Sequence, residues 1–396
     1  MEFYLSYVPI VILLPFLLKK YFIPKKVTYI FIVLLLTSLY NIIVGLDTFA
    51  LVLKVFSGLL FSYIFYYAII KYYDTDVKYL FNLYLKASVV ISFIGLFQFL
   101  SYQVNFFAGY TLNFLINKGG FTPGGNFGIR MSSLFSEPTY YATFIAPAVF
   151  VAVYDLLSPN RIFFKKWLSI LIIGIYLLTF SGNAYNALFL IAFLFIYNYG
   201  FLRYSIIGLP LIIAGYFYAY ENIPEFRGRV DGTVSIFQTG KFQVGKTHGS
   251  SVNLYDNYQV AFKNLASNPL FGTGLGSHPI AFDKYTITKH ITQVGFAFNR
   301  QDANSMFLRA ISETGVFGAF ILLFVIFKFF VSKNKSNDPD NHYWVMSNAI
   351  LVLILINYLR QGHYFLYGFP FYIWMYYFIY QKNKELKYQK ELKEPS

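Results

Sequence analysis

Three pairs of side chains in this 396-residue chain have the types and spacing to handle a charged substrate. In "NSMFLRAISETGVFGAF", Arg309 and Glu313 stand four residues apart, which places them on one helix face where they can pair. A charge inside an apolar run costs a few kcal/mol unless it is paired or faces water, so this spacing marks either a structural ion pair or a polar cavity. In "LRQGHYFLYG", Arg360 and His363 join a guanidinium, which grips phosphate at two points, to an imidazole that titrates near neutrality. Interfacial anchoring is the competing reading. Arg130 and Glu137, in "RMSSLFSEPTYYATF", stand just ahead of another apolar run. Glu137 is a candidate general base, yet a carboxylate before Pro138 is also favoured at any helix N-terminus.

The elements that hold these groups are read from composition. Of the residues, 57% are apolar and 13% charged, and the apolar ones arrive in blocks of about 20, the length that spans a bilayer. The reading is an all-α integral membrane protein forming a single membrane domain. It has eleven segments, near residues 3–18, 27–45, 49–70, 79–100, 138–157, 167–181, 183–200, 204–220, 304–331, 343–358 and 365–380. There is no cysteine, hence no disulfide framework, thiol nucleophile or zinc-thiolate site. No basic leader or small-residue cleavage site precedes the first run, so no secretory signal is expected.

Charge orients the segments. The loops around Lys19–Lys26, Lys71–Lys78, Arg161–Lys166, Arg203 and Lys328–Lys335, with five lysines of the 381–396 tail, gather 18 of the 32 basic residues on one side. That bias places this side in the cytoplasm and the N-terminus outside. Residues 101–137 and 221–303 then form two outer loops, the larger of them long enough to escape the rule. The net charge of +14 reflects this topology and attraction to anionic lipid, and is poor evidence for nucleic acid.

Within the larger loop, Leu254, Tyr258, Ala261, Phe262 and Leu265 recur at helical spacing until Asn268 and Pro269 stop them, predicting an amphipathic helix suited to the membrane interface. "LFGTGLGSHP" follows. It lacks the lysine of a nucleotide-binding loop, so ATP is excluded. The amides around Gly274 and Gly276 are candidates to cradle a phosphate, against a plain turn-rich loop. Lys54 and Lys86 lie near helix ends and can snorkel, with Lys54 also placed to meet an outer-leaflet phosphate. Aromatic residues make up 22% of the chain, and tyrosine-rich outer surfaces suit both interfacial anchoring and sugar faces.

The order of these features carries a resemblance. "RMSSLFSEPT" before a helix, a large outer loop ending in "NPLFGTGLGS", then "NSMFLRAISETGVFG" and a late "RQGHY" resemble the Wzy-type O-antigen and capsule repeat-unit polymerases, over roughly Arg130 to Tyr364. That family is similar to the O-antigen ligases. The resemblance implies a multi-spanning glycosyltransferase of the bacterial cytoplasmic membrane, with its active site facing the periplasm. It implies undecaprenyl-pyrophosphate-linked donor and acceptor, inverting transfer without nucleotide sugar, metal or other cofactor, and a chain-length regulator as partner. Ligases of this kind carry His-Asn where this chain has Ala303 and Asn304, which favours the polymerase and leaves the base open among Glu137, His248, His278, His290 and His363. Glu137 is the first choice and His363 the second. Arg229 and Gly240 fit the "R-x10-G" pattern of the family. On this reading Arg130, Arg229, Arg309 and Arg360 bind the pyrophosphate, and Lys54, Gly274, Gly276, Asn304, Glu313 and Tyr364 complete the substrate site. An O-antigen ligase, a lipid-linked oligosaccharide flippase or other transporter, and a non-catalytic scaffold are the alternatives. A transporter is expected to show two related halves, and no internal repeat is evident.

Overall fold

The computed structural model describes residues 7–115, 121–159, 161–241, 249–292, 298–333, 342–365 and 368–392. His248 lies outside them. In chain order the helices are α1 (Tyr7–Leu18), α2 (Lys25–Ile43), α3 (Phe49–Tyr72), α4 (Val77–Gln103) and α5 (Phe107–Thr111). A two-stranded ribbon, β1 (Thr122–Pro123) and β2 (Ile129–Arg130), pairs antiparallel with Thr122 opposite Arg130. Then come α6 (Pro138–Leu157), α7 (Lys166–Leu177), α8 (Gly182–Asn222), α9 (Pro224–Thr239), α10 (Gly249–Ser267), α11 (His278–Tyr285), α12 (Lys289–Thr292), α13 (Met306–Lys328), α14 (Tyr343–Arg360) and α15 (Phe369–Glu391).

The protein is an all-α membrane protein. Among the described residues six helices, α2, α3, α4, α6, α13 and α14, are long and apolar enough to cross a membrane. Their exposed side chains agree with a lipid solvent: Ile32, Leu36, Leu39 and Ile43 of α2 and Phe320, Leu323 and Phe324 of α13 face outward. The other five expected segments fall on α1 and α7, which have 12 residues each, on the two arms of α8, and on α15. In α8, Gly200 adopts φ 120°, ψ 97° and the chain doubles back. The Phe189 and Tyr216 ring centroids lie 6.4 Å apart, whereas 27 residues of straight helix would separate them by about 40 Å. The basic tail begins as helix, since α15 runs on to Glu391 and carries a Lys382–Glu385 pair at 3.2 Å.

The chain packs as two compact units, each made of separate stretches of chain. The first comprises residues 1–76, 228–329 and 357–377. In it Ile10 and Leu14 of α1 pack on Phe65 of α3. The predicted amphipathic helix is α10, and its stripe has a protein partner: Ala261, with Leu254, Tyr258 and Leu265, packs on Ala303, Leu308 and Ile311 at the start of α13, leaving Phe262 exposed. The second unit comprises residues 77–227, 330–356 and 378–396. Its centre is α6, where Ile145, Ala146, Val149, Phe150 and Val151 are fully buried. Beside Pro147, the Tyr84 hydroxyl donates to the Phe144 carbonyl at 2.6 Å. At the end of α6, the Asp155 carboxylate accepts from the amides of Ile162, Phe163 and Phe164, fixing the turn into α7.

Candidate functional site

The first unit gathers most of the expected residues around the first half of α13. Ser305 caps this helix through the Leu308 amide and also donates to the Tyr358 carbonyl at 2.7 Å, tying the start of α13 to the end of α14. One turn on, Arg309 Nε donates to Glu313 Oε1 at 2.8 Å and its Nη1 to the Gly362 carbonyl at 3.0 Å. Tyr364 closes the group: its hydroxyl donates to Glu313 Oε2 at 2.9 Å while its ring lies 4.5 Å from the guanidinium. Glu313 is wholly buried, Arg309 and Tyr364 nearly so. Burial, with the Glu313 charge, raises the Tyr364 phenol well above its ordinary pKa, so it stays a donor. The pair foreseen from its spacing is therefore a buried, satisfied ion pair, and its chemical use is to fix the backbone at residues 362–364.

That turn presents His363. Its Nε2 lies 2.9 Å from Asp302 Oδ2, and the imidazole stays partly exposed. Asp302 also accepts from the Asn299 side chain at 2.7 Å and from the Asn304 amide at 3.1 Å. Burial alone would raise the Asp302 carboxyl. The His363 hydrogen bond and charge, with the Asn299 and Asn304 donors, hold it below the ordinary value. An ionised carboxylate thus orients the ring and leaves Nδ1 as the open nitrogen. Asn299, Ala303 and Asn304 all have positive φ, a tight left-handed path that puts Asp302 beside Gly362. Asn304 is half-buried. Asp302 carries no local signal; only its place two residues before "NS" at a helix start hints at a fixed backbone.

Arg360, the last residue of α14, has no hydrogen-bond or ion-pair partner among the described residues. The charge that bears on it is that of Arg229, half-buried on α9, so two guanidinium groups repel one another here. A site of this kind favours an anion. His363 is three positions after Arg360, so their Cα atoms are at most about 11 Å apart.

The glycine loop has another use than a phosphate cradle. Gly315 breaks α13 with φ 62°, ψ −152°, and residues 269–274 fill the gap. The Val316 and Phe317 amides donate to the carbonyls of Pro269 and Leu270, and the Gly274 amide donates to the Glu313 carbonyl at 2.8 Å. The amides of Gly272, Leu275 and Ser277 are also taken, by Asn268, Ser38 and Gly274. A Cβ on Gly272 would lie 2.5 Å from the Glu313 backbone, and one on Gly276 would lie 2.8 Å from the Leu51 carbonyl. Gly274 and Gly276 are joints between backbones.

Beside this joint, the Asp47 side chain is buried between α2 and α3, with Oδ1 accepting from the Thr48 amide and Oδ2 lacking a partner. Burial, with the Glu313 charge adding and the Thr48 amide opposing, lifts its pKa from 3.8 to about 7.

The other expected residues have simpler settings. His278 is fully buried, with Nε2 3.0 Å from Asn257 Oδ1 and Nδ1 3.3 Å from Ser312 Oγ. Burial and the Arg309 charge push its pKa down to about 3, which removes it as an accessible base. His290 is exposed on α12, and Lys54 is exposed in the second turn of α3, as snorkelling requires. Gly240 ends α9 with φ 66°, a helix-terminating role that explains the glycine in its pattern. Arg130 and Glu137 belong to the second unit. Arg130 donates from Nε to the Thr179 carbonyl at 3.4 Å. Glu137 is the N-cap of α6; its side chain makes no capping bond and is exposed. Among the described residues no cluster of three or more His, Cys, Asp or Glu could hold a metal ion.

Fold and site together define an α-helical membrane protein with a carboxylate-oriented imidazole and an arginine pair set beside a buried ion pair. No family model and no curated protein matches the chain.

Proposed function

We propose that the protein is a membrane glycan polymerase, extending oligosaccharide carried on a lipid pyrophosphate at the outer face of a bacterial cytoplasmic membrane through about eleven crossings. The observation that carries this reading is the His363–Asp302 pair, part-exposed and three residues from the unneutralised Arg360. In the reaction, an acceptor sugar hydroxyl loses its proton to His363 Nδ1 as its oxygen bonds to the donor's anomeric carbon. The bond from that carbon to the pyrophosphate oxygen breaks with inversion. Asp302 stabilises the imidazolium that forms, and Arg360 with Arg229 stabilises the negative charge released on pyrophosphate. Arg309, Glu313 and Tyr364 hold the 362–364 turn and do not touch substrate.

A transporter reading draws support from the break in α13, because interrupted helices line the binding sites of transporters. The backbone groups freed at Gly315 are however taken by Pro269, Leu270 and Gly274, so the break offers them to no ligand. The test is a chain-length assay with purified protein and radiolabelled lipid-linked repeat units. Polymer is expected from the parent and none from His363→Gln at equal folded protein. Translocation of the labelled lipid without chain growth would replace the polymerase by a flippase, and transfer to a different lipid acceptor would replace it by a ligase.

A further inference from the structure

A cleft of about 690 Å³ lies in the second unit, at the turn from α6 into α7. It is lined by three cations, Arg161, Lys165 and Lys166, all exposed, and by Ile162, Trp167 and Ile170, whose apolar surfaces are also open. Among the described residues no carboxylate lines it. The nearby Asp155 is wholly buried and spends its oxygens on the amides of residues 162–164, so the floor is rigid and the rim stays cationic. Along α7 the exposed positions continue as Trp167, Ile170, Gly174 and Leu177, a spacing of three and four residues that marks one helix face. A side chain at Gly174 would meet nothing within 4 Å, so this face has an open furrow. Phe93 of α4 borders it, its ring centroid 6.1 Å from that of Trp167.

We infer that this cleft and furrow hold one anionic phospholipid. The phosphate sits among Arg161, Lys165 and Lys166, and an acyl chain runs past Trp167 over Gly174 toward Leu177. Charge complementarity selects the headgroup, since three cations without a carboxylate favour a phosphodiester that carries net charge over a zwitterionic one. The apolar furrow selects a lipid over a free anion. At about 18 Å, α7 is short for a crossing helix, and a lipid laid along it extends the apolar wall that the helix alone lacks.

The test is native mass spectrometry of the full-length protein released from phosphatidylcholine nanodiscs, prepared with and without phosphatidylglycerol. One phosphatidylglycerol should remain bound in preference to phosphatidylcholine. The triple variant Arg161→Gln, Lys165→Gln, Lys166→Gln should bind it on the order of a hundredfold more weakly, while Lys384→Gln, Lys387→Gln, Lys390→Gln, which removes equal charge from the tail, should retain it. Gly174→Leu, which fills the furrow without changing charge, should also weaken retention. Equal loss in the tail variant would reduce the effect to diffuse surface charge and overturn the site, as would competition by glycerol phosphate as effective as that by the intact lipid. If the triple variant does not fold, the parent decides alone: failure to prefer phosphatidylglycerol overturns the proposal.

Discussion

The amide of Gly274 donates to the carbonyl of Glu313 at 2.8 Å, so the glycine loop is bonded to the backbone of the residue whose side chain neutralises Arg309. Loop, broken helix and buried ion pair are one mechanical piece.

Glycines at this joint should therefore tolerate no side chain. Gly272→Ala, Gly276→Ala and Gly315→Ala each combine positive φ with a backbone atom 2.5 to 2.8 Å from the new Cβ, and should sharply reduce folded protein. Gly215→Ala, in an open helical position of α8, should be neutral or stabilising by up to about 1 kcal/mol. Size-exclusion profiles and thermal unfolding in detergent measure both, and a monodisperse, stable Gly272→Ala would show that the loop can be displaced.

Arg309, Glu313 and Tyr364 should behave as one unit. Removing either charge leaves the other buried and alone, at about 3 to 5 kcal/mol, whereas Tyr364→Phe leaves one carboxylate oxygen unpaired at about 1 to 3 kcal/mol. Exchanging Arg309 and Glu313 together should recover part of the single losses. Single variants as stable as the parent would mean that the pair is not closed in the membrane.

What the sequence disclosed of this site was its local part. Arg309 and Glu313 sit on one helix turn, and the α10 stripe repeats within one helix, so spacing alone found them. Asp302 escaped because its partner is 61 residues away and no periodicity connects a loop carboxylate to a distant imidazole. Asp47 escaped because its burial comes from the packing of α2, α3 and the glycine loop, which no local pattern encodes. The glycines were legible as turns, but their use depends on α13 and α3, whose approach is set by packing. Of the eleven segments, six are helices whose described residues are long and apolar enough to cross, whereas α7 has 12 residues and α15 mixes tyrosine with lysine, so apolar content alone does not decide them.

The arginines divide by setting. Arg360→Ala should abolish chain growth at normal accumulation, because its guanidinium bonds to nothing that holds the fold, and Arg360→Lys should keep part of the activity, having charge without the planar fork. Arg130→Ala should lose about 1 kcal/mol of stability through its bond to Thr179. Normal long chains from Arg360→Ala at matched protein levels would leave Arg360 as an interface anchor.

Asp47 and His278 should make opposed contributions over nearly one pH range. Asp47 binds its proton more tightly folded than unfolded, so its contribution falls by up to about 4 kcal/mol as pH rises from about 4 to 7. His278 binds its proton less tightly when folded, so its contribution grows by up to about 5 kcal/mol as pH rises from about 3 to 6.5. In the parent the two slopes largely cancel, so unfolding midpoints should rise with pH across this range in Asp47→Asn and fall with pH in His278→Gln. Unchanged pH profiles in both would place the titrating groups elsewhere.

The reversal at Gly200 has a consequence for parity in the proposed topology. With two crossings in α8, the chain would leave this helix on the face where it entered, and Ser181 and Ile223 would share a side. Were Gly200 replaced by a residue that keeps to helical angles, α8 would straighten into a single crossing and the proposed count would turn from odd to even. That parity thus hangs on the one residue type able to hold φ 120° there.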